Sequence, residues 1–128
     1  MTRVGGQSPD SYGLSVTVTV PAATAGAPVK TNEPLKWGAG AYEAVKAVAD
    51  DVIALVAKHP VEDGLTPLGA WVAGGNSRVH VFTYSGTAPT VGGSVVADGL
   101  GGVKSTVTAN STRVLYVNTA RQQVEVLI

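Results

Sequence analysis

The sequence predicts an all-β protein: a small β-barrel or β-sandwich-like body with an extended N-terminal arm. Three observations carry that expectation. Val occurs 22 times while aromatic residues make up only 5% of the chain, so the apolar content lies in β-branched side chains that suit a pleated surface. The 16 Gly and 7 Pro supply the dihedrals of tight turns between short strands. Leu14-Ser-Val-Thr-Val-Thr-Val20 alternates strictly, the period-2 signature of a strand with one buried and one wet face. At 128 residues one core can bury most of the apolar surface, and a single domain over 14–128 is expected.

Taken in order, residues 1–13 are Gly-, Ser- and Pro-rich without periodicity and read as an arm with no core of its own. After the strand ending at Val20 comes a loop from Pro21 to Pro28. A short strand around Val29 to Thr31 is expected before Pro34, which lacks an N–H, interrupts any ladder. In Ala41 to Lys58, Val45, Val48, Val52 and Val56 fall at helical spacing, so a short helix within 41–58 is one expectation. A weak internal repeat favours another. Thr24-Ala-Gly-Ala-Pro-Val29 resembles Thr90-Val-Gly-Gly-Ser-Val95, and the run from Val45 to Val56 resembles that from Val103 to Val117. The second copy is rich in Thr, with Asn110-Ser111 as turn chemistry between two apolar runs, and is a poor helix. By analogy a hairpin is expected, Tyr42 to Ala49 and Val52 to His59, around Asp50-Asp51.

Further on, Leu68 to Ala73 and Arg78 to Tyr84 flank Gly74-Gly75-Asn76 and read as a second hairpin. Ser94 to Ala97 is a short strand, Asp98-Gly-Leu-Gly-Gly102 a turn, and Val103 to Thr108 another strand. Gln123-Val-Glu-Val-Leu-Ile128 keeps apolar side chains to its last residue and is expected to dock into the sheet.

Nine basic and nine acidic residues cancel, removing long-range attraction to phosphate backbones or anionic lipid. Neither nucleic acid nor membrane is an expected partner, and no apolar run reaches the roughly 18 residues of a spanning helix. No Cys is present, which excludes a disulfide framework and thiolate zinc sites. The start Met1-Thr-Arg-Val-Gly-Gly6 lacks an apolar signal region, so synthesis and folding in a cytoplasm are expected. The near-neutral surface offers little repulsion against self-association.

Motifs that could carry chemistry each have a plainer reading. Gly99-Leu-Gly-Gly-Val-Lys-Ser-Thr106 lacks the Gly directly before Lys that a phosphate loop needs, so a β-turn is expected. His59, Glu62 and Asp63 are competent metal ligands, yet Pro60 separates them and a solvated loop is the better expectation. No Gly-x-Ser-x-Gly elbow accompanies the Ser and His residues, and His80, mid-strand, is expected partly exposed. Asn110-Ser-Thr112 matches a glycosylation sequon, common by chance. No catalytic residues, cofactor, metal or small-molecule substrate are expected, so the chain reads as a non-enzyme. Trp71, Phe82 and Tyr84 are candidate core or subunit contacts. Trp37, with Lys36 and Tyr42, is the one plausible nucleus for a sugar site.

Val16-Thr-Val-Thr-Val20, Ala25-Gly-Ala-Pro-Val29, Val52-Ile-Ala-Leu-Val-Ala-Lys-His-Pro60, Tyr84-Ser-Gly-Thr-Ala-Pro89, Val91-Gly-Gly-Ser-Val-Val-Ala-Asp-Gly99 and Val124-Glu-Val-Leu-Ile128 together resemble the bacteriophage capsid decoration (cement, head-stabilising) proteins. The resemblance spans about Ser15 to Ile128. It implies a structural virion protein on the outer capsid surface that binds the major capsid protein between capsomers, as a homotrimer or as docked monomers. It also implies an N-terminal arm laid on the capsid, with Thr2, Arg3, Val4, Gln7 and Tyr12 as contact candidates. Another phage tail or surface β module, including a carbohydrate-binding one, is the alternative from a different class.

Overall fold

The computed structural model describes residues 14–74 and 78–128. These residues form ten strands and no helix: β1 (Ser15–Val18), β2 (Pro34–Trp37), β3 (Ala44–Lys46), β4 (Leu55–Ala57), β5 (Leu68–Val72), β6 (Val79–Thr83), β7 (Ser94–Ala97), β8 (Val103–Thr106), β9 (Arg113–Asn118) and β10 (Gln123–Leu127). The protein is all-β, as the composition predicts. Its first half is one five-stranded antiparallel sheet in the order β1-β5-β4-β2-β3. The sheet curls until Thr19, just past β1, makes a parallel bridge to Glu43, just before β3.

The second half repeats this plan. β6-β10-β9 form one ladder and β7-β8 another. Gly92 N–H to Val114 O (2.8 Å) and Val114 N–H to Gly93 O (2.9 Å) join them, giving the order β6-β10-β9-β7-β8. A parallel bridge from Tyr84 to Val103 closes this half, as Thr19 to Glu43 closes the first. We call the halves lobe 1 (β1–β5) and lobe 2 (β6–β10).

The internal repeat is therefore structural, in a register that differs from the sequence alignment. Glu33 N–H donates to Lys30 O and Gly93 N–H to Thr90 O, so Lys30, and not Thr24, is the counterpart of Thr90. Inside these two turns Asn32 (φ 63°) and Gly92 (φ 88°) take the left-handed conformation, which Gly and Asn adopt most readily. Cross-strand pairing of Trp37 with Ala44 and of Ala97 with Val103 makes Ala44 the counterpart of Val103, one residue from the aligned Val45. Both are fully buried.

Four local expectations are corrected. Val29 to Thr31 is not a strand; Val29 makes only an isolated bridge to Val61. Pro34 begins β2 instead of interrupting a ladder, the position where its missing N–H costs least, and its carbonyl accepts Ala47 N–H. No helix forms within 41–58, and β3 and β4 do not pair with each other. β2 lies between them, because the short Gly38-Ala-Gly40 turn brings β2 and β3 together first. Finally, β5 and β6 are not a hairpin. β5 has both edges occupied, by β1 and β4, so β6 pairs with β10 instead.

Two buried cores follow from the two lobes. Val18, Val20, Val29, Leu35, Ala44, Leu55, Ala57, Leu68 and Ala70 fill lobe 1. Phe82, Tyr84, Val95, Val103, Val114, Val124, Val126 and Ile128 fill lobe 2, together with Ile53 and Val56 from lobe 1, against which Trp71 and Ala73 also pack. Along β4, Leu55 and Ala57 therefore face one core and Val56 the other, all three buried. The C-terminal β10 sits between β6 and β9, and Ile128 is buried.

This sharing makes the lobes one cooperative unit. Val56→Thr alters a lobe 1 strand while burying a hydroxyl in the lobe 2 core, and is expected to cost about 1–3 kcal/mol. Urea unfolding followed by backbone amide signals from both lobes should show one transition shifted for all of them. Separate transitions, with only lobe 2 affected, would contradict the shared core.

Candidate functional site

The polar side chains that invite a chemical reading are bound into loop architecture. His59 accepts Gly69 N–H at Nε2 (3.1 Å), and its Nδ1 lies 3.2 Å from Pro60 O, which fixes Nδ1 as the protonated nitrogen. Asp63 accepts the Leu65 and Thr66 amides and the Thr66 hydroxyl at 2.7–2.8 Å. The Thr66 hydroxyl first, then the two amides, hold its carboxyl below the ordinary range. Among the described residues no three His, Cys, Asp or Glu side chains are grouped to hold a metal ion.

The Gly99–Thr106 segment is a turn and a strand. Asp98 Oδ1 accepts Leu100 N–H (2.7 Å) and Gly102 N–H (3.0 Å), and its Oδ2 accepts the Ser85 hydroxyl (2.9 Å). Asp98 thereby ties the end of β6 to the β7–β8 turn. Gly102 is required there, since a Cβ would collide with Thr83 O.

The sequon residues form a polar pin. Thr112 Oγ1 accepts Val95 N–H (2.9 Å) and donates to Asn110 Oδ1 (2.6 Å), while Asn110 Nδ2 donates to Val95 O (3.0 Å). Ser94 Oγ donates to Thr112 O (3.2 Å). The Asn-x-Thr pattern between two apolar runs was the available signal, and its work is to lock the β8–β9 link onto β7. Sequence reasoning missed a second device, buried Glu33. Its Oε1 accepts Lys30 N–H (2.9 Å), its Oε2 lies 3.5 Å from Lys46 Nζ, and the same ammonium donates to Pro28 O (3.0 Å).

Asp50 and Asp51 join the lobes instead of turning a hairpin. Asp50 N–H donates to Ala97 O (3.0 Å) and Ala97 N–H to Asp51 O (2.9 Å). Lys104 reaches Asp50 at 2.8 Å, and Lys36 reaches Asp51 at 2.8 Å. The Lys36 hydrogen bond, then that from Val48 N–H, lowers the Asp51 pKa.

Of the candidate contact residues, Thr2, Arg3, Val4, Gln7 and Tyr12 lie outside the described residues. Trp71, Phe82 and Tyr84 all belong to the lobe 2 core: Phe82 and Tyr84 are buried in it, and Trp71 packs against it half-buried. His80 is buried and not partly exposed as expected, because β6 turns it toward that core beside Phe82. Trp37 and Tyr42 are both exposed on the β2–β3 hairpin, while Lys36 turns to Asp51. Apolar side chains also project from loops, among them Leu65, 89% exposed, Leu100, 76% exposed, and Val107, fully exposed. Beside Val107 runs a cleft of about 340 Å³ lined by Asp50, Val52, Val96, Thr106, Ala109 and Asn110. A smaller one of about 170 Å³ lies between Thr31-Asn32 of lobe 1 and Val81, Thr83 and Gly101 of lobe 2.

Comparison with protein-family models and with curated protein sequences returns no match.

Thr112→Val keeps the shape of the pin and removes its hydroxyl, leaving Val95 N–H without an acceptor. A loss of about 1–3 kcal/mol is expected, measured by urea denaturation. A loss below about 0.5 kcal/mol would show that the pin does not hold the loop.

Proposed function

We propose that this chain is a structural virion protein that decorates and stabilises a bacteriophage capsid. It binds the major capsid protein between capsomers on the outer surface, as a homotrimer or as docked monomers, and turns over no substrate. The observation that carries this reading is the division of labour among side chains. The polar groups at His59, Asp63, Asp98 and Asn110–Thr112 brace loops, while Leu65, Leu100 and Val107 project from loops into solvent. A stiff body with apolar projections suits passive docking. The zero net charge and the family resemblance of the sequence support the same reading.

In this reading residues 1–13 add to a strand edge of the capsid, where main-chain hydrogen bonds give affinity without a demanding sequence. Many copies on a symmetric shell, or three arms in one trimer, raise avidity through effective concentration. Attachment to the assembled shell, and not to free subunits, stabilises the shell by linkage. The exposure of both Trp37 and Tyr42 on one hairpin favours a second reading, a carbohydrate-binding surface module.

Purified protein is expected to co-sediment with mature shells of its own phage and to raise the temperature at which they rupture. Deleting Thr2–Tyr12 should weaken attachment on the order of tenfold or more, an energy of about 1.4 kcal/mol, while leaving the melting temperature of the body nearly unchanged. Attachment that survives the deletion unaltered would remove the arm mechanism. No attachment to any such shell, with polysaccharide binding lost in Trp37→Ala, would replace the proposal by the second reading.

A further inference from the structure

Strand β1 carries an edge that the rest of its sheet leaves open. Val72 N–H donates to Leu14 O (2.8 Å), one step before the Ser15–Trp71 pair of the β1–β5 ladder. Main-chain groups alternate in direction along an antiparallel strand. Leu14, Val16 and Val18 therefore turn theirs toward β5, while Ser15, Thr17 and Thr19 turn theirs away. Thr19 uses its outer groups to close the lobe: its N–H donates to Tyr42 O (3.0 Å) and its carbonyl accepts Ala44 N–H (2.9 Å). Ser15 and Thr17 lie on the same edge before that closure, and among the described residues no strand pairs with them there.

Where a sheet edge stays unpaired, charged side chains, Pro or a bulge ordinarily discourage a second chain from adding to it. β3 and β8, at the far edges of the two lobes, carry Lys46 and Lys104. β1 has none of these devices: it is Ser-Val-Thr-Val, and its register against β5 is unbroken. Leu14 is 67% exposed, Ser15 and Thr17 are exposed, and Val16 is half-buried against the lobe 1 core that holds Val18.

The strand is also complementary to itself. Leu14-Ser-Val-Thr-Val18 is symmetric in character about Val16: apolar, hydroxyl, apolar, hydroxyl, apolar. Laid antiparallel on a second copy about a two-fold axis at Val16, it sets Ser15 against Thr17, Val16 against Val16 and Leu14 against Val18. Both members of the Ser15–Thr17 pair have outward N–H and C=O groups, so they exchange both main-chain hydrogen bonds. Hydroxyls then meet on the wet face and apolar side chains on the other, the matching that favours cross-strand neighbours. The zero net charge opposes such an approach little.

We propose that β1 is a self-association edge, on which a second copy of this chain pairs its own β1 antiparallel about Val16 and joins two lobe 1 sheets into one. A two-fold contact of this kind is isologous and closes on itself, so it yields dimers and not fibres. The shortness of the strand makes it a small, transient interface, formed at high concentration or where copies are held side by side. The pairing does not depend on the capsid reading.

The test is sedimentation equilibrium of the full chain from about 10 μM to about 1 mM, the range of weak interfaces. The weight-average mass is expected to rise from 12.9 kDa toward twice that value. Thr17→Pro removes an N–H that β5 does not use, at an edge position where Pro is tolerated, and should weaken association on the order of tenfold or more. Thr17→Val keeps the main-chain groups and the strand preference, and should change association by less than about twofold. A chain that stays monomeric over the whole range overturns the pairing. So does association that Thr17→Pro leaves unchanged, and its loss on deleting Thr2–Tyr12 would then assign it to the arm. If the proline variant does not fold, amide exchange of the unsubstituted chain decides. Exchange at Ser15 and Thr17 that slows with rising concentration, while Val16 and Val18 stay as they were, supports the pairing; exchange there that ignores concentration overturns it.

Discussion

Val56 has no side of its sheet that faces water, and the architecture depends on that. The β4–β5 part of lobe 1 is apolar on both faces: Leu55, Ala57, Leu68 and Ala70 face the first core, and Val56 and Trp71 the second. Such a sheet can be stable only as a middle layer. Lobe 2 supplies the missing cover, and its own ladder, split between β9 and β7, gains core from the same contact. The two copies of the strand plan are thus unequal in packing: one wraps its own interior, and the other completes its interior with a face of its twin.

This constraint also explains which elements were legible in the sequence. Ser15–Val18 alternates because one face is wet, and the period-2 pattern exposes it at once. The turn at Asp98–Gly102 and the strands on either side were equally plain, since Asp and Gly there serve a local hairpin. Leu55–Ala57, buried on both faces, has no alternation to read, and the run of small apolar residues that contains it mimics a helix as easily as a hairpin. The pairing of Leu68–Val72 was misjudged for a related reason. Gly74 marks a change of direction truthfully, but no local signal reveals that both edges of β5 are already taken by distant strands.

The candidate site was legible in a different degree. The structural tasks of the polar residues needed three-dimensional neighbours: Thr112 is explained by Val95, 17 residues away, and Glu33, which no motif marked, by Lys46. The sequence repeat was visible yet misregistered, because the two copies share turn geometry at Asn32 and Gly92 more closely than they share residues. In the proposed role the chain offers a partner a neutral, doubled β body whose loops are braced from within and from which Leu65, Leu100 and Val107 project. In that role, loops braced in advance would lower the ordering cost of docking, and repetition over a shell would compensate for modest contacts at each copy.

The proposed role is attachment to the outside of an assembled shell without chemistry. A cryo-electron-microscopy comparison of the phage head, from virions with and without this chain, tests it most directly. The account predicts extra density of about 13 kDa per copy on the outer surface between capsomers, repeated with the symmetry of the shell. Identical heads, with the chain found instead on the tail or absent from the particle, would contradict it.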